Sequence, residues 1–199
     1  MALRFLRNFQ TDLGSSATEI SPQTLCPYSE DPNLFKDLDK RVDYGIGLRI
    51  SAQERDLLER GQFAENHPTS INQTSNFANL TPLFVHIEVK RRHVDKDPMI
   101  QLAAWIAAEF NKRKIEGYSL EMPVFAVEVV GDNWELHVAY AESSSSVEDY
   151  RLNILGPFDM GNTKSFLSSF QIFNVLCGLA RWGLGAYRSW VSQRFPSLR

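Results

Sequence analysis

Two segments of the chain alternate between apolar and polar residues with the period of a β-strand. The first covers residues 42–50, where apolar side chains at every second position flank Asp43, Gly45 and Gly47. Asp43 is therefore predicted on the open face of a half-buried strand, beside two glycines that indicate close approach by a ligand or another backbone. A solvent-facing Asp next to a bend is the alternative at this position.

The second segment, residues 83–90, is apolar enough for a buried strand yet ends with two charges. Because side chains alternate between the two faces of a strand, one face is predicted to carry Phe84, His86, Glu88 and Lys90, and the other Leu83, Val85, Ile87 and Val89. Glu88 and Lys90 then point the same way, and desolvating them requires a partner or a purpose. A structural ion pair at a sheet edge is the alternative.

Capping signals predict the helices in the first half of the chain. Ser51 and Glu54 form a capping box that starts a short helix ending near residue 60. Asp97 and Pro98 supply an N-cap and a first-position proline for a helix over residues 99–114. This second helix is apolar nearly all round, so it is predicted to pack against the sheet.

A long C-terminal helix is predicted to follow a cap at residues 162–163, with Gly183 and Gly185 interrupting it. Large apolar side chains recur in it at helical spacing and are interpreted as core: Phe166, Phe170, Phe173 and Leu176. Polar residues break its apolar run, which favours a buried or amphipathic helix over a membrane span.

The remaining segments are simpler. Residues 1–13 have helix-like spacing, residues 15–39 look irregular, and residues 62–82 form a long polar loop. A hairpin is predicted over residues 123–141, with its turn at 131–133, and a short last strand over 152–155 that Gly156 and Pro157 end. Strands and helices that follow one another in this way predict an α/β fold.

Composition narrows the class of protein. A chain of 199 residues with 43% hydrophobic and 23% charged residues is typical of one globular domain. Two cysteines and no recognisable leader or membrane span predict a soluble, intracellular protein of the nucleus or cytoplasm. A net charge of -3 does not favour nucleic-acid binding. Two basic clusters, at 90–93 and 112–114, nevertheless lie near the strand over 83–90 and the helix over 99–114.

A binding site for a divalent ion can form from an Asp on one strand, a Glu-x-Lys on the next strand and the start of the helix that follows. Mg²⁺ favours oxygen ligands, so two carboxylates with substrate phosphate oxygens suffice to bind it. Lys90 would orient an attacking water or stabilise negative charge in the transition state. His86 shares the predicted face with Glu88, and it is either a second base or a packed core residue.

The chain resembles the PD-(D/E)xK nuclease superfamily, and more closely the nuclease-like domains of many fungal proteins. The resemblance implies the restriction-endonuclease-like fold, with a central mixed sheet flanked by helices and a long C-terminal helix. Four segments carry the resemblance: residues 40–44 around Asp43, 70–74, 87–90 with Glu88 and Lys90, and 101–105 with Gln101 and Trp105. It implies a nuclease-like domain over residues 40–199, with residues 1–39 as an irregular segment packed on the core of a single domain.

The resemblance also implies the chemistry. Asp43 and Glu88 would bind Mg²⁺ or Mn²⁺, Lys90 would be the catalytic lysine, and Gln101 would help to position the site. The expected activity is hydrolysis of phosphodiester bonds, with DNA or RNA as the partner and no membrane, and a homo-oligomer is left open. The alternatives are a nuclease fold reused as a binding or interaction domain, or one acting in fungal small-molecule metabolism.

Overall fold

The computed structural model describes residues 9–11, 18–19, 41–64, 71–72, 80–92, 97–143 and 150–195. Its strands are β1 (Phe9–Thr11), β2 (Thr18–Glu19), β3 (Arg41–Val42), β4 (Tyr44–Leu48), β5 (Leu83–Lys90), β6 (Val124–Val130), β7 (Asn133–Ser143) and β8 (Tyr150–Asn162). Its helices are α1 (Ala52–Ala64), α2 (Pro98–Ile115), α3 (Phe166–Trp182) and α4 (Arg188–Arg194), and a π-helical turn over Gly183–Tyr187 joins the last two.

Six strands form one mixed sheet in the order β1-β4-β5-β6-β7-β8, and β2 pairs with β3 apart from it. Strands β5 and β6 run parallel, whereas the other neighbours in the large sheet run antiparallel. A parallel pair needs a crossover connection, which α2 provides. The predicted α/β fold with a central mixed sheet, flanking helices and a long C-terminal helix is confirmed.

Helices cover both faces of the sheet. On the face that we call the α2 face, α2 packs on β6 and β7 through a cluster that includes Leu102, Trp105, Ile106, Ala126 and Ala139. On the opposite face, which we call the α3 face, the C-terminal helices pack through a cluster that includes Val85, Val127, Leu179, Tyr187 and Val191. The central strands β5 and β6 are therefore buried from both sides.

A β-bulge in β5 changes which face Phe84 occupies. The register with β4 shifts by one residue at this point, and the Phe84 ring packs against Trp182 and Tyr187 on the α3 face. The prediction that Phe84 shares a face with His86, and Leu83 with Val85, is therefore wrong, because a bulge inserts one extra residue into the strand. The bulge is a feature of strand pairing, which the alternation of residue types does not contain.

The two glycines of β4 are buried, so the open face predicted for them is wrong. A Cβ atom on Gly47 would lie 2.8 Å from the backbone oxygen of Pro82, and one on Gly45 would lie 3.1 Å from the side chain of Leu83. The close approach that these glycines predicted is therefore to another part of the chain. The predicted single strand is also divided, because a bend at Asp43 separates β3 from β4.

The predicted last strand over residues 152–155 is wrong in length, because β8 continues through Gly156 and Pro157 to Asn162. The pairing of β8 with β7 shifts opposite His137, which accommodates the two residues as a bulge. Proline lacks a backbone N–H donor and is tolerated at bulges and on edge strands. Strand β8 is the last strand at one edge of the sheet.

The three phenylalanines of the apolar stripe of α3 are exposed, which contradicts their interpretation as core, whereas Leu176 is partly buried and packs against the α3-face cluster. Phe166 is 82% exposed, Phe170 48% and Phe173 41%. Helical spacing establishes which side chains share a face, but it does not establish whether another element covers that face. The predicted cap at residues 162–163 is also wrong, because Ser165 caps α3 by accepting a hydrogen bond from the Ser168 backbone N–H.

The capping signals in the first half are confirmed. The Ser51 N–H donates to Glu54 Oε2 over 2.6 Å, and the Glu54 N–H donates to Ser51 Oγ over 3.1 Å. Helix α1 runs beyond the predicted end to Ala64. The Asp97 side chain caps α2 with Pro98 at the start of the helix, as predicted. Gly183 and Gly185 interrupt the C-terminal helix as a π-helical turn.

Residues 9–11 are a strand paired with β4, so the predicted N-terminal helix is wrong at these positions. Most of residues 1–39 and of the loop predicted over 62–82 lie outside the described residues. Within the described ranges, no helix combines the length and the apolar character that crossing a bilayer requires.

Candidate active site

Strand β5 carries three ionisable side chains on the α2 face, and their exposure rises along the strand. His86 is 0% exposed and Glu88 is 2% exposed, whereas the side chain of Lys90 is 21% exposed. Helix α2 covers the first of them, because the Trp105 ring centroid lies 5.5 Å from that of His86. The Lys90 end of β5 is therefore the end that a substrate can reach.

Glu88 and Lys90 form an ion pair on the α2 face of the strand. Lys90 Nζ lies 2.5 Å from Glu88 Oε1, which confirms that the two side chains point the same way. A buried carboxylate needs a charged or hydrogen-bonding partner to offset the loss of water, and the ammonium group supplies one. Both functional groups are thereby held at the end of a rigid, buried strand.

Asp43 stands at the bend between β3 and β4 and is half-buried. Its Oδ2 accepts a hydrogen bond from the Val89 backbone N–H over 2.8 Å. Because Val89 lies between Glu88 and Lys90 in the strand, the Asp43 carboxylate is fixed beside that pair. Asp43 does stand at a bend, as the alternative interpretation expected, but its side chain faces β5.

Gln101 lies near the start of α2 and is 5% exposed. Helix α2 returns across the sheet after β5, and its Trp105 packs on His86. Gln101 is four residues before Trp105, about 6 Å along the helix, and Glu88 is two residues beyond His86, about 6.6 Å along the strand. Because α2 connects the parallel strands β5 and β6, its N-terminus and Gln101 lie toward the Glu88 end of β5.

His86 belongs to a closed ionic network under α2. Its Nε2 lies 2.7 Å from Glu109 Oε2, and the other oxygen of Glu109 accepts a hydrogen bond from Arg113. Arg113 also donates to the Met122 backbone oxygen and lies over the Trp190 ring. These contacts favour the interpretation of His86 as a packed core residue.

The network also sets the charge state of Glu109. Burial alone would raise the pKa of the Glu109 carboxyl, but the Arg113 guanidinium and then the His86 ring hold it below its usual range. Glu109 therefore stays ionised, and its negative charge is stabilised by two buried partners, Arg113 and His86.

The two basic clusters of the sequence have different surroundings. Lys112 is buried and pairs with Glu116 over 2.5 Å, and Arg113 belongs to the buried network, so the cluster at 112–114 is mainly structural. In the other cluster, Arg91 is exposed and Arg92 pairs with Asp132 over 2.5 Å at the surface. Positive charge accessible to a phosphate lies at the end of β5.

The start of β5 is fixed by residues far away in the sequence. Buried Asn72 donates to the Thr81 backbone oxygen over 2.5 Å and accepts from the Leu83 N–H over 3.2 Å. Tyr187 donates its hydroxyl hydrogen to the Leu83 backbone oxygen over 2.6 Å. Asn72 lies in one of the segments that carry the family resemblance, and these contacts give it a structural role.

A third cluster, which the sequence reasoning missed, lies on the hairpin of β6 and β7. Glu128, Glu135 and His137 bring ligand atoms within 4.8 Å of one another, and Glu88 pairs in register with Glu128, as Glu128 does with Glu135. The predicted turn at 131–133 is one residue too long, because Asn133 already pairs with Val130, and the resulting two-residue turn pairs residue 128 with 135.

The electrostatics of this cluster follow from crowded acids. Burial, then Glu135, then Asp97 raise the pKa of the Glu128 carboxyl above its usual range. Burial lowers the pKa of the His137 imidazole, against the opposing effects of Glu135 and Asp97. Asp97 acts on the pKa of both groups, which indicates that the N-terminus of α2 lies close to the hairpin.

Comparison with known proteins bears on this arrangement. The sequence model of the PD-(D/E)XK nuclease superfamily matches residues 1–188, whereas searches of curated proteins and of solved structures find no match. The match covers the sheet, α2, Asp43, Glu88 and Lys90. The chain therefore belongs to the PD-(D/E)XK nuclease superfamily.

Proposed function

We propose that this chain is a divalent-metal-dependent nuclease that hydrolyses phosphodiester bonds in nucleic acid, with Asp43, Glu88 and Lys90 at its centre. One observation carries the proposal. The Asp43 carboxylate accepts a hydrogen bond from the backbone N–H of Val89, which lies between Glu88 and Lys90, and the side chains of those two residues form an ion pair. Two acids and an ammonium group are thus held together at the accessible end of β5, in a chain of a nuclease superfamily.

The donor set fits Mg²⁺ or Mn²⁺. These ions accept carboxylate oxygens, and Mg²⁺ is commonly held by one or two carboxylates together with substrate phosphates. Glu88 is buried and has a cationic nitrogen 2.5 Å from its Oε1, so a positive charge already stands beside this carboxylate. When bound, the ion would lower the pKa of a coordinated water and offset charge on a phosphoryl oxygen.

The other residues would act on the phosphate and the water. Lys90 would move its ammonium group toward the charge that develops on the phosphoryl oxygens, which is an interaction of the transition state. The first turn of α2 has backbone N–H groups and a positive dipole end that favour a phosphate nearby. Gln101, toward the Glu88 end of β5, would position the water or the phosphate between helix and strand.

The test is cleavage of single-stranded and duplex DNA and RNA across a range of Mn²⁺ and Mg²⁺ concentrations. Wild-type protein is expected to cut at least one substrate only with metal. Asp43→Asn and Glu88→Gln should lower the rate by about 100-fold or more and require more metal for half-maximal rate. Asp56→Asn, at an exposed acid of α1 that pairs with Arg60, is the matched control.

Equal cleavage by wild type and both acid variants would contradict the assignment of the site. Tight nucleic-acid binding with no metal-dependent cleavage would instead favour the alternative of a nuclease fold reused for binding. A melting temperature that does not change in millimolar Mn²⁺ would count against metal binding, because an ion that binds the folded site stabilises it.

A further inference from the structure

The cluster on the β6–β7 hairpin has the composition of a metal site distinct from the Asp43–Glu88 pair. Glu128 and Glu135 contribute carboxylates from paired positions, and His137 contributes an imidazole two residues further along β7. One ligand atom from each lies within 4.8 Å of the other two. Three donors that converge from two strands can be directed at one ion.

His137 supplies an independent reason to expect a ligand. It is 5% exposed, and its Nε2 has no hydrogen-bond partner among the described residues. The carboxylate oxygen Oε2 of Glu128 lies 3.5 Å away, which is too long for a strong hydrogen bond. A buried polar nitrogen without a partner is costly, and an ion between the carboxylates would satisfy it.

The bulge in β8 fixes the direction of the His137 ring. The pairing of β7 with β8 shifts opposite His137, and a Cβ atom at Gly156 would lie 2.8 Å from His137 Nδ1. Gly156 has φ +136°, a conformation that L side chains rarely adopt. The Nδ1 side of the ring therefore packs against glycine in β8, while Nε2 faces Glu128 on β6. Bulges often redirect a side chain in this way.

We propose that Glu128, Glu135 and His137 bind a first-row transition-metal ion such as Zn²⁺, Co²⁺ or Mn²⁺. One imidazole with two carboxylates suits these ions, whereas Mg²⁺ and Ca²⁺ prefer ligands that are all oxygen. Negative charge from Asp97, at the cap of α2, adds to the attraction for a cation. The site lies beside the proposed catalytic pair but does not share its residues.

The experiment uses Co²⁺, whose visible absorption reports its ligands, in titrations of the full chain with excess Mg²⁺ present. Wild-type protein is expected to bind Co²⁺ under these conditions, and Zn²⁺ should displace it. His137→Asn and Glu135→Gln should each weaken Co²⁺ binding by at least about tenfold. Glu142→Gln, at an exposed acid of the same strand that accepts a hydrogen bond from Asn153, should leave binding unchanged.

Two further results separate this proposal from the proposed nuclease function. Asp43→Asn should leave Co²⁺ binding in the presence of Mg²⁺ intact, whether or not the protein cleaves nucleic acid. Circular dichroism melts establish that each variant is folded, and Glu135→Gln tests the site even if His137→Asn does not fold. Co²⁺ binding that is equal in wild type and folded Glu135→Gln, or that Mg²⁺ abolishes, would overturn the proposal.

Discussion

Two ionic groups begin two residues apart on the same face of β5, and their surroundings are opposite. The group at His86 is closed to solvent, because Glu109 of α2 contacts the His86 ring and pairs with buried Arg113. The group at Glu88 is open to solvent at one side, because its cation, Lys90 of the same strand, is 21% exposed. Asp43 joins it through a hydrogen bond from the Val89 backbone N–H. The contrast indicates that helix coverage, and not residue type, separates a structural ion group from one suited to chemistry.

The largest expected effect is on the closed group. Glu109→Ala leaves Arg113 buried without its carboxylate, so the free energy of unfolding should fall by about 3–5 kcal/mol. Urea denaturation measures this change, and Glu121→Ala, at an exposed acid, is the control. A loss below about 1 kcal/mol, which is typical of a surface pair, would remove the distinction between the two groups.

A smaller effect is expected at the open group. Gln101→Ala should lower the cleavage rate by about tenfold, as loss of a positioning contact does, while the protein remains folded. Single-turnover rates and thermal melts measure both quantities, and Ile100→Ala, at an adjacent residue that is 52% exposed, is the control. If Gln101→Ala instead unfolds the protein at the temperature of the assay, Gln101 belongs to the structural group.

The smallest expected effect concerns acid. The folded protein holds the pKa of the Glu109 carboxyl below its usual range, so the ionised network contributes stability at pH values above that range. This stability should be lost as the pH falls through the usual range and then through the lower folded pKa. Glu109→Gln cannot titrate, so its stability should change less with pH over this range. Parallel pH dependence of wild type and variant would contradict the network.

Parts of this picture follow from the sequence alone. Period-two alternation predicted that Glu88 and Lys90 lie side by side, and the cap at Asp97 predicted where α2 begins. Both depend on neighbours in the sequence, so local patterns contain them. The register of Glu128 with Glu135 was missed, because the turn was predicted one residue too long.

Other parts depend on contacts between distant residues. The bulge at Phe84 and the one at Gly156 arise from pairing with neighbouring strands, so residue types along one strand do not reveal them. Whether Phe166 is covered depends on which element packs there. The role of His86 was open in the sequence because Glu109, its partner, lies on another element.

Lys90→Ala tests the central claim, that the accessible end of β5 performs phosphodiester hydrolysis. Single-turnover cleavage with Mn²⁺ and nucleic-acid affinity are measured for wild type, Lys90→Ala and Lys114→Ala. Lys114, an exposed lysine in the last turn of α2, is the matched control. Because the ammonium group would act mainly in the transition state, the rate should fall by about 100- to 1,000-fold while affinity changes little. Equal rates for wild type and Lys90→Ala, or an equal loss of binding and rate, would contradict the account.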